Sequence, residues 1–185
     1  MAVKDLSTIV RGWKGRLIKD PTNLSLASPY GGTVLGAVAD QRFLTGLRHG
    51  IIANEHQGGA NNDVVYSGES VVIQCVLRGW DADAIAAVNP NTSASGSTID
   101  SLVSGSGKNR PGYTMGNQSM VLLFEPDDTT NNRMILFRKC VALPKASMEL
   151  QMKMKIEAVI AAVFYAVPDS SGRVAHIGLK ANLTI

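Results

Sequence analysis

Residues 148–157 alternate without a break. Met148, Leu150, Met152, Met154 and Ile156 are interleaved with Glu149, Gln151, Lys153, Lys155 and Glu157. Successive side chains of a strand point to opposite faces, so a strand turns this pattern into one apolar and one charged face; a helix would mix the two classes around its axis. The run therefore predicts a core strand whose Met148, Leu150, Met152, Met154 and Ile156 pack inward. Residues 158–167 follow, apolar on both faces, which suits a strand covered on both sides. Pro168-Asp169-Ser170-Ser171-Gly172 is turn chemistry. Residues 134–178 read as two or three sheet strands and a turn, with no catalytic motif among them.

The rest of the chain points the same way. Residues 1–30 read as an N-terminal arm and first strands. Short apolar pieces at 7–10 and 16–18, set around Gly12 and Gly15, are followed by turn signals at Asp20-Pro21-Thr22-Asn23 and Ser28-Pro29-Tyr30-Gly31-Gly32. Residues 33–53 predict two strands, with Gly36, Gly46 and Gly50 as places to bend or bulge. Residues 56–63 (His-Gln-Gly-Gly-Ala-Asn-Asn-Asp) predict a flexible loop, with little to pack and much freedom to lose. Residues 70–78 form the clearest central strand, with Val71, Ile73, Cys75 and Leu77 on one face. Asp81 is placed to N-cap a helix over 82–88, and Pro90 ends it because the residue before a proline avoids the α region. Residues 91–118, rich in Ser, Gly, Asn and Thr, predict a long surface excursion with a turn of helix at 97–103. A strand at 120–124, a polar turn at 125–132 and an edge strand within 179–185 complete the reading. No repeat or linker divides the chain, so residues 1–185 form one domain.

A chain of 185 residues is long enough to bury a core. Its 45% apolar content excludes wholesale disorder, and its 5% aromatic content makes the core depend on aliphatic side chains. The net charge of +3 permits weak attraction to nucleic acid, but no dense Lys/Arg block demands it. The N-terminus lacks a signal-peptide h-region, and no apolar run approaches the roughly 18 residues of a membrane helix. A chain made and folded in the cytoplasm, without a membrane segment, is expected. Cys75 and Cys140 each lie in an apolar strand-like run and are expected to be buried thiols. A disulfide within or between subunits stays open.

No stretch of the sequence has the pattern of a catalytic or ligand-binding motif. Gly105-Ser106-Gly107-Lys108 lacks the preceding strand, the first glycine and the Ser/Thr of a phosphate-binding loop. Its neighbourhood lacks the strand–turn–helix setting of a nucleophile elbow. His49, Glu55 and His56 do not have ligand spacing, and His176 stands alone, so no metal or cofactor is expected. Asp127 and Asp128 serve a turn, and Asp81 and Asp83 suit a helix N-terminus. No nucleophile, base and oxyanion donor come together, and no enzyme is expected.

Three stretches in order resemble the major tail tube proteins of long-tailed bacteriophages. Gly32-Thr33-Val34-Leu35-Gly36-Ala37-Val38 is similar to that family's opening motif. His56-Gln57-Gly58-Gly59, then Asp63-Val64-Val65-Tyr66-Ser67-Gly68-Glu69 and the strand after it, resembles its central Gly-Gly and Gly-Glu passage, with His56 where the family often has an acidic residue. Phe164-Tyr165-Ala166-Val167-Pro168-Asp169-Ser170-Ser171-Gly172 resembles its closing motif. The resemblance implies a β-sandwich or half-barrel subunit with one flanking α-helix and long loops, closing into a β-barrel in a hexameric ring. Rings stack into a tube through which DNA passes during ejection. It implies a virion structural protein of the tail, assembled in the host cytoplasm. Its partners would be copies of itself and the tail sheath, tape measure, baseplate and tail terminator proteins, with DNA only in transit. A secretion-system tube protein is the nearest alternative. A small nucleic-acid-binding β-barrel is a further one, although it would lack an aromatic stacking platform. Glu55, His56, Gln57, Gly58, Gly59, Asn61, Asn62 and Asp63, with residues 1–20, are too polar to pack alone and are expected at contacts between rings or subunits.

Overall fold

Residues 14–54, 60–78, 82–89, 92–95, 98–101, 119–130, 132–143 and 159–185 are described by the structure, a computed structural model. In chain order the elements are β1 (Gly15–Lys19), β2 (Thr33–Asn54), β3 (Ala60–Arg78), α1 (Ala82–Val88), β4 (Thr92–Ser95), β5 (Thr98–Ser101), β6 (Met120–Pro126), β7 (Met134–Ala142), β8 (Val159–Ala166) and β9 (Ala175–Gly178). The main sheet runs β6-β1-β2-β3-β8-β7, and β7 pairs back onto β6. Every neighbouring pair is antiparallel. Six strands thus close into a barrel within the single chain, which leaves no free edge around the closed part. Sequence reasoning had placed closure at the level of a ring of subunits. A lone chain closes because β6 finds a partner on each side, β1 through Gly15↔Pro126 and β7 through Phe124↔Ile135.

The barrel interior follows from alternation. Leu17, Leu35, Ile73, Leu77, Leu122, Phe124, Phe137 and Phe164 are each at most 1% exposed and belong to one cluster. Between Met120 and Leu122 the β6–β7 register shifts. This bulge lets Phe137 and Cys140, an odd number of residues apart, both face inward. The Phe137 ring lies 5.5 Å from Phe43, centroid to centroid. Helix α1 joins the same cluster through Ala84, Ile85, Ala87 and Val88 and packs against β2 and β8. Its alanines give a good helix former a small, close-packing face. Its last bond runs from the Asn89 amide to the Ile85 carbonyl at 3.0 Å, just before Pro90. Burying each large apolar side chain stabilises by about 1.5–3 kcal/mol.

A second core lies outside one wall of the barrel. Ile18, Leu123, Met134 and Leu136 point away from the interior and are covered by Leu24, Tyr30 and Leu183. Leu183 follows a 3-10 turn at Lys180–Asn182. The wall formed by β1, β6 and β7 is therefore buried on both faces.

Glycine decides two close approaches. A Cβ on Gly15 would collide with the Glu125 carbonyl of β6. Gly36 has φ +133 beside the β1–β2 register shift, with the Arg78 carbonyl 2.8 Å from where its Cβ would stand. Strands β8 and β9 lie along the same edge of β7, at Cys140–Ala142 and Met134–Phe137 respectively. The chain between them leaves the sheet and returns, tied at its ends by Val167 N–H to Lys139 O (2.9 Å) and Arg138 N–H to Val174 O (3.3 Å). The Asp169 carboxylate accepts from the Ser171 and Arg173 amides within that turn.

Several expectations are corrected. Residues 33–53 are one strand, because Gly36 and the register shifts of β2 absorb its irregularities as bulges instead of a turn. Asn61, Asn62 and Asp63 belong to β3 and not to a loop; Asn61 pairs with Ala53 and Asp63 with Ile52. Glu125 and Pro126 complete β6 instead of opening the turn. The turn of helix expected at 97–103 is replaced over Thr98–Ser101 by a strand, which forms a small two-stranded sheet with β4. The edge strand is Ala175–Gly178, and within 179–185 stands the 3-10 turn. The strand expected at 148–157, with Met148, Leu150, Met152, Met154 and Ile156, lies outside the described residues, as do residues 1–13, the Asp81 cap and residues 102–118.

Candidate functional site

Strands β2 and β3 are longer than the barrel needs. β2 pairs with β1 only over Thr33–Val38, and β3 pairs with β8 only over Val71–Arg78. They nevertheless pair with each other from Ala37↔Arg78 out to Asn54↔Ala60. Beyond Gly46↔Ser70 the hairpin stands alone among the described residues, and both its outer edges lack a strand partner there. The eight residue steps from Gly46 to Asn54 extend it by about 27 Å. It leaves at the Val71 end of the barrel segment of β3, while α1 follows the Arg78 end. A two-stranded ribbon is marginal in water by itself, and its edges are templates for further pairing.

The register puts Arg42 and Leu44 of the barrel wall and Arg48 of the ribbon on one face of the β2–β3 hairpin, with Val72 and Val65 opposite Leu44 and Gly50. Leu44 and Val65 are each 47% exposed. Arg42 and Arg48 are exposed and have no ion-pair partner among the described residues. Arg78, Val76 and Gln74 continue the same face along β3, beside Ala161, Val163 and Tyr165 of β8. The face is thus apolar and arginine-bearing.

On the other side of β1 a carboxylate is buried. Glu125 is 6% exposed at the end of β6. Its Oε2 accepts from Arg16 Nε at 2.7 Å and from Ser28 Oγ at 2.7 Å, and its Oε1 accepts a short bond from the Tyr30 hydroxyl. Arg16 Nη2 donates to Ser28 Oγ at 2.8 Å. Burial alone would raise the Glu125 pKa, but the bonds from Tyr30, Ser28 and Arg16 outweigh it and hold the carboxyl below its ordinary value. Burial, together with the Glu125 carboxylate, pushes the Tyr30 hydroxyl up to about 12. Tyr30 sits at φ +61, where bulky residues are rare, and Lys180 Nζ lies 4.7 Å from its ring centroid. The cluster therefore clips the 20–32 connection and the C-terminal segment onto the barrel wall. Sequence reasoning read Glu125 as a turn residue. The available signal was parity: Leu123 and Glu125 share a face, opposite Leu122 and Phe124.

Beside this cluster an open cleft of about 450 Å³ is lined by Gly15, Arg16, Val34, Ala37, Glu125, Pro126, Asp127 and Thr129. Arg16 compensates Glu125. Asp127 is exposed, and its side chain has no partner among the described residues; only its amide is held, by the Lys14 carbonyl at 3.0 Å.

Of the residues expected at contacts, Glu55, His56, Gln57, Gly58 and Gly59 lie outside the described residues, between the ends of β2 and β3. Asn61, Asn62 and Asp63 are on the outermost part of β3. Among the described residues no three His, Cys, Asp or Glu side chains form a metal-binding group, and no helix is long and apolar enough to cross a membrane. Cys75 and Cys140 are free and buried. Cys75 pairs with Ala162 and Cys140 with Ala166, on opposite sides of β8. Four residues along a strand and two strand spacings put their Cα atoms more than about 13 Å apart, too far for a disulfide. No protein-family model and no curated protein matches this sequence.

Proposed function

We propose that the chain is a structural subunit of a long-tailed phage tail tube. It would assemble into hexameric rings that stack around the path of DNA ejection. The observation that carries this reading is the pairing of a barrel closed within the chain with a long β2–β3 ribbon whose edges and apolar face have no partner among the described residues. A closed barrel is a self-sufficient unit; the ribbon is the part that calls for a neighbour. Of the three motifs that resemble those of tail tube proteins, the first lies on β2, residues 63–69 of the second lie on β3, with residues 56–59 outside the described residues, and the third is at the end of β8 with its turn. In the assembled tail the partners are copies of the chain, with tape measure, terminator, baseplate and any sheath protein at its borders. Negative-stain microscopy and sedimentation of the purified chain test the reading. Rings or tubes at high concentration are expected, and persistent monomers, even beside tail-initiating components, would overturn it. Deleting residues 57–62 is expected to leave a folded subunit that does not elongate.

A second reading has one observation in its favour: Arg42, Arg48 and Arg78 share an outer face with Tyr165. Such a face can hold single-stranded nucleic acid. A salt-sensitive shift of labelled oligonucleotide at physiological ionic strength would favour it over the tube.

A further inference from the structure

We infer that the β2–β3 ribbon of one copy seats in the Asp127 cleft of the next, with Arg48 meeting Asp127 and Val65 covering Val34 and Ala37. This rests on the self-assembly reading and names the contact it uses. The two surfaces complement each other in charge and in apolar character. Arg42 and Arg48 are exposed without an acidic partner among the described residues, and Asp127 is exposed without a basic one. Val65 is 47% exposed on the ribbon. In the cleft Ala37 is exposed and Val34 half-buried. The cleft, at about 450 Å³, has room for two or three side chains of the leucine–arginine size. The ribbon carries arginine, not lysine, amid aliphatic side chains, a composition typical of the centre of protein interfaces.

The geometry rules out self-service. Ala37 and Val34 are on β2 itself, in the barrel segment from which the ribbon leaves. Beyond Gly46 the same strand runs away from them, so Arg48 and Val65 reach a cleft only on another copy. Ribbon and cleft are different surfaces, so the contact is head-to-tail. Such contacts close into a ring or continue as a helix according to their rotation. Apolar contact supplies affinity, while the Arg48–Asp127 pair sets register and orientation.

A charge swap tests the pairing. Wild type, Arg48→Glu, Asp127→Arg and the double variant are compared by sedimentation velocity and microscopy, with folding checked by circular dichroism. Each single reversal is expected to lower the assembled fraction at least tenfold, and the double variant to restore most of it. A second test places Val65→Cys and Ala37→Cys in one chain. The native cysteines are buried, so a ladder of oligomers on a non-reducing gel reports the new pair alone. Assembly at the wild-type level in both single reversals, or a folded charge-swap double variant that is not rescued together with a cysteine-pair variant that forms no ladder, overturns the contact while leaving the tube reading standing. Wild type that never assembles overturns both. Oligonucleotide binding abolished by Arg48→Glu, in a protein that stays monomeric, assigns the arginine face to nucleic acid instead.

Discussion

The barrel and the ribbon are made from the same two strands, with different neighbours. On the outer face, where β3 lies between β2 and β8, Val72, Gln74 and Val76 are half-buried. On the same face, where β3 has only β2 beside it among the described residues, Val65 is 47% exposed. Both halves have extended backbone and a full ladder between the two strands. Strand formation therefore does not distinguish them; the second neighbour does. A strand flanked on both sides can bury one whole face in the barrel, and a ribbon with no flanking strand among the described residues retains apolar surface for another molecule.

The largest expected effect comes from the barrel. Phe124→Ala removes a ring that is fully buried between β1 and β7, and should destabilise the chain by about 3–5 kcal/mol, read as a lower urea midpoint. A midpoint that stays put would mean that the barrel does not unfold as one unit. Next is the clip. Glu125→Ala strips an acceptor from Arg16, Ser28 and Tyr30, and should cost about 2 kcal/mol, moderated because Arg16 is half exposed. Tyr30→Phe should cost about 1 kcal/mol, since only one donor is lost. A null result for both would place the 20–32 connection with the ribbon, as a part the barrel does not need.

The clip also has a pH signature. The folded-state pKa of Glu125 is depressed below its ordinary 4.5. Its contribution is therefore present above that value, where the unfolded carboxyl is ionised too. It is lost as pH falls through the lower, folded-state value. The urea midpoint should fall on acidification below about 4.5, and less so in Glu125→Gln. Equal acid sensitivity in that variant would assign the loss to other carboxylates, such as Asp169, which the Arg173 and Ser171 amides and the Arg173 charge also hold below the usual range.

The ribbon should show the smallest change in stability. Val65→Ser should move the monomer by less than about 0.5 kcal/mol while reducing assembly. A thiol reagent sharpens the contrast. Burial pushes the Cys75 thiol up to about 12 and the Cys140 thiol up as well, so both should stay unlabelled until the barrel unfolds. A cysteine placed at Val65 should react at once. Early labelling of Cys75 would show the barrel opening locally where the ribbon leaves it.

Much of the fold was legible locally. Alternation located the barrel segment of β3, short apolar runs located β6 and β8, and the Ala-rich run before Asn89-Pro90 located α1, because these signals depend only on near neighbours in the chain. The site was less legible. Glu125 looked like turn chemistry because its partners, Arg16, Ser28 and Tyr30, lie about a hundred residues away. The continuity of β2 was missed because bulges at Gly36 and between Ala39 and Arg42 look, in sequence, like breaks.

The sequence by itself determined that this chain is mainly β, with inward Val71, Ile73, Cys75 and Leu77 and one short helix, since side-chain period and helix stop signals are written along the chain. Only the tertiary structure decided that β6 closes the sheet against β7, that Glu125 is buried and clipped, and that β2 and β3 outrun their neighbours. Those outcomes depend on which strands meet across long stretches of chain, and no local pattern of residues encodes a strand's second neighbour.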